Sequence, residues 1–209
     1  MYTLWIANKN YSSWSLRPWV LLKTLQIPFE ENICFFESGR SSHDKFSRFS
    51  PTGLVPCLVD GKQTVWDSLA ICEYVAEDHP QVWPTGRSAR AWARSASAEM
   101  HSGFTALRQQ CPMDVSRNAP LTEISRELQA DIDRVSQLWQ EGLEKFSGPW
   151  LAGNEFTAVD AFYAPVAFRI HSYQLPVNAA AQQWVARMLS LPAMQEWRQA
   201  GIQEPHIDH

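Results

Sequence analysis

Over its first eighty residues the chain alternates short β-rich apolar runs with helical periodicity, and beyond them only helical periodicity remains. Residues 2–7 form a compact apolar run. Across residues 15–26, Leu16, Trp19, Val20 and Leu22 recur at helical spacing, and Ile27-Pro28 stops the pattern because a residue before proline is pushed out of the α region. Residues 29–36 read as a second strand, so strand, helix and strand in succession predict a parallel pair with a right-handed crossover. A short polar stretch at 42–49 reads as helix. Residues 57–59 and 64–66 then flank Asp60-Gly61, a dipeptide that favours hairpin turns. Leu69, Cys72 and Val75 share one face of a closing helix over 69–78, which His79-Pro80 ends.

This order, β-α-β followed by β-β-α, is that of a thioredoxin-like domain, assigned to residues 1–80. Two prolines and a glycine in His79 to Arg87 mark a linker at 81–86. The remainder, 87–209, is expected to be an all-helical bundle, with helices over 88–110, 122–146, 157–173, 179–190 and 193–200. Thr157 and Asp160 have the spacing of an N-terminal capping motif, with Phe156 placed to pack back on the helix as a staple.

Composition narrows the function. Of 209 residues, 45% are hydrophobic and 19% charged, the balance of an ordinary globular protein. Acidic residues slightly exceed basic ones on both sides of Pro80, so the net charge of −4 is spread evenly. No basic face for nucleic acid and no polybasic membrane patch stand out. The longest mainly apolar run, 161–168, contains Pro165 and falls far short of the roughly 20 residues that span a bilayer. The opening MYTLWIANKN has neither a charged leader nor a long apolar segment, which makes the cytoplasm the expected compartment. Cys34, Cys57, Cys72 and Cys111 form no CxxC pair and no zinc spacing, so they read as small buried hydrophobes, and no metal is expected.

Three stretches carry candidate chemistry. In Asn10-Tyr11-Ser12-Ser13-Trp14-Ser15-Leu16-Arg17-Pro18, proline is harmless only in a first helical turn, which predicts a helix start near Ser15 with Ser15 as its N-cap. Ser12 and Ser13 then lie in the loop at the carboxyl end of a parallel strand, where ligands of open α/β sheets collect. In Thr52-Gly53-Leu54-Val55-Pro56-Cys57, Pro56 precedes a predicted strand, and a cis peptide would fit there. In Trp66-Asp67-Ser68-Leu69, the last three residues open a helix whose free N–H groups welcome a carboxylate, while Asp67 could meet an ammonium. That pair suits a zwitterionic α-amino acid group.

In this order and spacing the three stretches resemble the glutathione transferase superfamily. Ser12-Ser13-Trp14-Ser15 is similar to the SSxS pattern of the zeta class, which includes maleylacetoacetate isomerases. Residues 97–104 and the Thr157 cap are similar to the helical domain of bacterial members. The resemblance implies glutathione as co-substrate, with Leu54, Val55, Pro56, Asp67 and Ser68 binding it and Ser12 activating its thiol. It also implies a homodimer and a small hydrophobic electrophile held by Trp14, His101 and Phe104, the last two on one helical face. Two departures stand out: Trp14 replaces the cysteine of the zeta class, which weighs against isomerisation, and Leu54 replaces a Lys or Gln, leaving the glycine carboxylate of glutathione to Arg40 or Lys45. Glutathione-dependent isomerisation and a non-catalytic binding role stay open beside conjugation.

The chemical task is thiol activation. A thiol of pKa near 8.5 is only about 3% ionised at pH 7, and lowering that pKa by about two units takes roughly 2.7 kcal/mol. A hydroxyl donor plus a helix dipole is sufficient.

Overall fold

The computed structural model describes residues 1–36, 38 and 41–207. Four strands, β1 (Tyr2–Ile6), β2 (Phe29–Ile33), β3 (Cys57–Asp60) and β4 (Gln63–Trp66), form one sheet in the order β2-β1-β3-β4. β1 pairs in parallel with β2, Leu4 opposite Glu31, and antiparallel with β3, Leu4 opposite Leu58. Alternation along β1 sends Tyr2, Leu4 and Ile6 into the core. On the other face Trp5 stacks on Phe49 at 4.2 Å between ring centres. Asp60 and Gln63 pair across the predicted hairpin, whose Gly61 takes a φ of 57°.

Helices α1 (Ser13–Thr24) and α3 (Ser68–Asp78) pack together, and α2 (His43–Phe46) is a single turn. After a 3-10 turn at Pro80–Val82 come α4 (Arg87–Ser102), α5 (Thr105–Gln110), α6 (Arg126–Lys145), α7 (Ala158–Tyr173), α8 (Ala179–Ser190) and α9 (Pro192–Gln203). The thioredoxin-like sheet unit followed by a helical bundle is therefore the observed architecture. α7 is its axle: it is buried along almost its whole length and packs on α1, α4 and α8, tying the bundle to the sheet unit. At its start Asp160 accepts from the Thr157 backbone N–H at 3.1 Å, the acidic half of the predicted cap, and Phe156 packs edge-on against Trp150. Among the described residues no helix is long and apolar enough to cross a membrane.

Two expectations need correction. The first helix starts at Ser13, two residues early, and Pro18 lies inside it rather than in its first turn. The bond lost at Pro18 is tolerated because nearly every residue from Ser13 to Leu22 is buried, so tertiary packing holds the helix. The helix expected over 88–110 is broken. A Cβ at Gly103 would stand 2.8 Å from the Glu99 carbonyl, and Phe104 turns the chain with a φ of 58° before α5 begins. Cys57, Cys72 and Cys111 are buried and unpaired, as a small-hydrophobe role requires, whereas Cys34 is unpaired but only half-buried.

Candidate functional site

Three chain segments converge where β1 runs into α1, where the loop enters β3, and where β4 runs into α3. The loop entry carries the cis peptide Val55-Pro56. Between them lies a cleft of about 520 Å³ walled by Trp14, Thr52, Leu54, Val55, Pro56, Trp66, Asp67 and Ser68. The five residues expected to bind glutathione therefore share one cavity, with Trp14 beside them. Thr52 and Trp66 were not anticipated. Trp66 carried a signal, a bulky aromatic next to Asp67 that the strand leaves 44% exposed.

Asp67 caps α3. Its Oδ1 accepts from the N–H groups of Leu69 at 2.9 Å and Ala70 at 3.3 Å. Its φ of 76° is a strained value for a residue bearing a Cβ, of the kind that persists at functional sites. Its Oδ2 lies 3.1 Å from Nε2 of His101, on the facing helix α4. Burial pushes the His101 pKa down, against the pull of Asp67, so a neutral ring donating Nε2–H to the carboxylate fits the pair. His101 also meets the Trp14 ring edge-on at 5.3 Å. Phe104 does not join them: lying past the end of α4, it is buried against Tyr163, and the expected shared face with His101 does not exist.

Ser12 and Ser13 are buried and neither lines the cleft, although the next residue, Trp14, does. The Ser12 hydroxyl donates to Ser15 Oγ at 2.7 Å, and Ser15 also accepts from Ala7 N–H at 3.3 Å. Ser15 thus ties the helix to the end of β1 instead of capping α1, whose N-cap position belongs to Ser12. The Ser13 hydroxyl makes no hydrogen bond with any described residue. The loop itself is held by the far end of the chain, since both Glu204 carboxylate oxygens accept from it, Oε1 from Lys9 N–H at 2.8 Å and Oε2 from Asn10 N–H at 3.1 Å. Lys45 donates to the Phe35 carbonyl at 2.8 Å and is not in the cleft wall. Arg40 lies outside the described residues.

The residue sequence reasoning passed over is Arg17. It is completely buried in α1, with its guanidinium carbon 4.1 Å from the Trp14 ring centre and 4.9 Å from that of Phe162. Its Nη1 donates to Ser68 Oγ at 3.4 Å, while Nε and Nη2 have no partner among the described residues. Arg108, on α5, also stands over Trp14, at 4.6 Å. Burial, with Arg108 and Arg169 nearby, pushes the Arg17 pKa well down.

Residues 11–78 match the family described as "Glutathione S-transferase, N-terminal domain", and residues 90–200 match "Glutathione S-transferase, C-terminal domain". The chain is 28% identical to a protein of Vibrio cholerae named probable maleylacetoacetate isomerase, over 92% of each chain. It is 26% identical to the glutathione S-transferase GstB of Escherichia coli, over 99% of this chain and 96% of that protein. A Burkholderia glutathione transferase homologue, solved with bound glutathione, shares the fold with a TM-score of 0.71 at 23% identity, covering 95% of this chain and 97% of that one.

Proposed function

Because the chain belongs to the glutathione S-transferase family, we propose that this enzyme binds glutathione in the cleft between Val55-Pro56 and Asp67-Ser68 and activates its thiol for attack on a small hydrophobic electrophile. The observation that carries the reading is the convergence of those four residues with Trp14 around one cavity. Asp67 Oδ2, the oxygen not taken by the α3 backbone, faces the ammonium of the γ-glutamyl group. Ser68, at the positive end of α3, takes its carboxylate. The peptide then lies along Leu54 and Val55, with the sulfur directed at the start of α1.

There the serine pair supplies the hydroxyl that stabilises the thiolate. Ser12 is the family-like donor, but its proton is engaged with Ser15 and must turn toward the sulfur. The free hydroxyl of Ser13 favours that residue as the alternative donor. The electrophile rests against Trp14, whose ring is partly exposed beside His101. Two chains of this protein form the working unit, a homodimer that sedimentation equilibrium tests directly.

Titrating bound glutathione by thiolate absorbance decides the mechanism. The wild-type complex should show a thiol pKa about two units below the free value of about 8.5, and alanine at the activating serine should return it toward that value. Absence of glutathione binding at millimolar concentration would overturn the reading. Isomerisation, suggested by the name of the Vibrio relative, uses the same thiolate but leaves glutathione unconsumed; glutathione loss during turnover with an activated aryl halide separates the two.

A further inference from the structure

Most charged side chains in the molecule end in water or against an opposite charge. Arg134 grips Glu99 through two bonds, and Lys9 is buried but paired with Glu31 at 2.8 Å. Arg17 does neither. It has no exposed surface, forms no ion pair with any described carboxylate, and leaves two of its three nitrogens without acceptors. Its charged neighbours are cations, Arg108 and Arg169, and each of these also has one orphaned nitrogen. Burying an unpaired charge is among the most costly things a fold can do. Stacking on Trp14 and Phe162 offsets part of that cost.

The one polar contact of Arg17 among the described residues shows where relief can come from. Nη1 donates to Ser68 Oγ, so a lone pair of that hydroxyl is occupied from behind and its proton must point elsewhere. Ser68 lines the cleft. The guanidinium therefore does two things at once: it sets the Ser68 hydroxyl as a donor available to the cleft, and it places an uncompensated positive charge one side chain beneath that wall. Asp67 stands next to Ser68 with one carboxylate oxygen taken up by the α3 backbone and the other toward His101 and the cleft. A cation below and an anion at the rim, on adjacent residues, match the carboxylate and ammonium borne by one carbon.

We propose that Arg17 is a positioning residue for glutathione, acting through Ser68 as the counter-charge of the γ-glutamyl α-carboxylate. The inference rests on glutathione occupying the Asp67-Ser68 cleft and adds what makes that cleft select a carboxylate.

The test compares two ligands by calorimetry, glutathione and its analogue 4-aminobutyryl-cysteinyl-glycine, which lacks only that carboxylate. Wild-type protein should prefer glutathione by at least about tenfold, the scale of one hydrogen bond to a charged group. In Arg17→Met the preference should collapse to within about threefold, with affinity for the analogue unchanged and the loss appearing in KM for glutathione rather than in kcat. Arg17→Gln, which keeps a donor for Ser68 but no charge, should lose most of the preference too, and it carries the comparison should Arg17→Met fail to fold. Arg17→Lys should restore part of it. Equal weakening of both ligands would make Arg17 a packing residue, and a preference retained in both neutral variants would equally overturn the proposal while leaving the glutathione site standing. If the wild type itself shows no preference, the Asp67-Ser68 site falls, and the role of Arg17 with it.

Discussion

Two aspartates sit over helix starts in this molecule, and they have been put to opposite uses. Asp160, in the first turn of α7, is wholly buried, with Oδ1 accepting from Leu151 N–H and Trp184 Nε1–H at 3.0 Å each and Oδ2 from Thr157 N–H. Burial pushes its carboxyl up to about 6 despite those donors. Asp67, capping α3, satisfies the backbone with one oxygen and leaves the other at a cleft, its side chain 45% exposed and its backbone strained. The first carboxylate is closed, and all its capacity serves the fold. The second is open, with one oxygen meeting His101 at the wall of the cleft. Helix capping is thus the same chemistry in both places, and what separates the two is whether an acceptor remains where solvent can reach it.

The largest effect should come from closing the comparison at its structural end. Asp160→Ala strands three buried donors, so unfolding in urea should show a loss of about 3–5 kcal/mol. A loss under about 1 kcal/mol would mean that α7 does not depend on this cap. Asp67→Asn attacks the other end. Asparagine still caps and tolerates positive φ, so stability should hold while glutathione affinity falls by roughly 1.5–3 kcal/mol in a calorimetric titration. If affinity stays and stability drops, the two aspartates are alike after all.

Ser15→Ala probes a hydroxyl whose oxygen, like those of Asp160, accepts bonds that serve the fold. Its two accepted bonds predict about 1–2 kcal/mol of lost stability by thermal or chemical melting. Turnover should fall less than in the variant of the activating serine, and the reverse order would assign Ser15 to the chemistry. The smallest effect is the pH response of the Asp67-His101 contact. The folded-state pKa of His101 lies below its unfolded value, so the unfolded chain binds the proton more readily. Stability from this group is therefore present above the unfolded pKa and is lost as pH falls through the folded one. Melting curves of His101→Gln against wild type should converge under acid conditions, and a gap that widened there would reverse the assigned sign.

Much of this was legible in the chain because periodicity and turn chemistry agreed. Asp60-Gly61 fixed the hairpin, His79-Pro80 ended α3, and Thr157 with Asp160 opened α7. Asp67-Ser68 as a helix opening and Val55-Pro56 as a cis turn were readable because their backbone chemistry is local. What sequence could not give came from tertiary contact. Pro18 is a reliable marker of a first turn only for a helix that must stand by itself, and α1 is enclosed on almost every side. The break after α4 came from the extended backbone of Gly103 and the positive φ of Phe104, which the periodic pattern across them did not reveal. Arg17 stayed invisible because a lone cation between Leu16 and Pro18 looks like a solvated position until Ser68, more than fifty residues away, is placed against it.

The hold of Glu204 on Lys9 and Asn10 means that the serine loop lacks two of its anchors until a residue 195 positions beyond Lys9 has been added to the chain. Strand, helix and sheet can assemble during synthesis, domain by domain, yet the loop that carries Ser12 and Ser13 is fastened only when the far end of α9 reaches it. A nascent polypeptide stalled before residue 204 would carry that loop without this fastening.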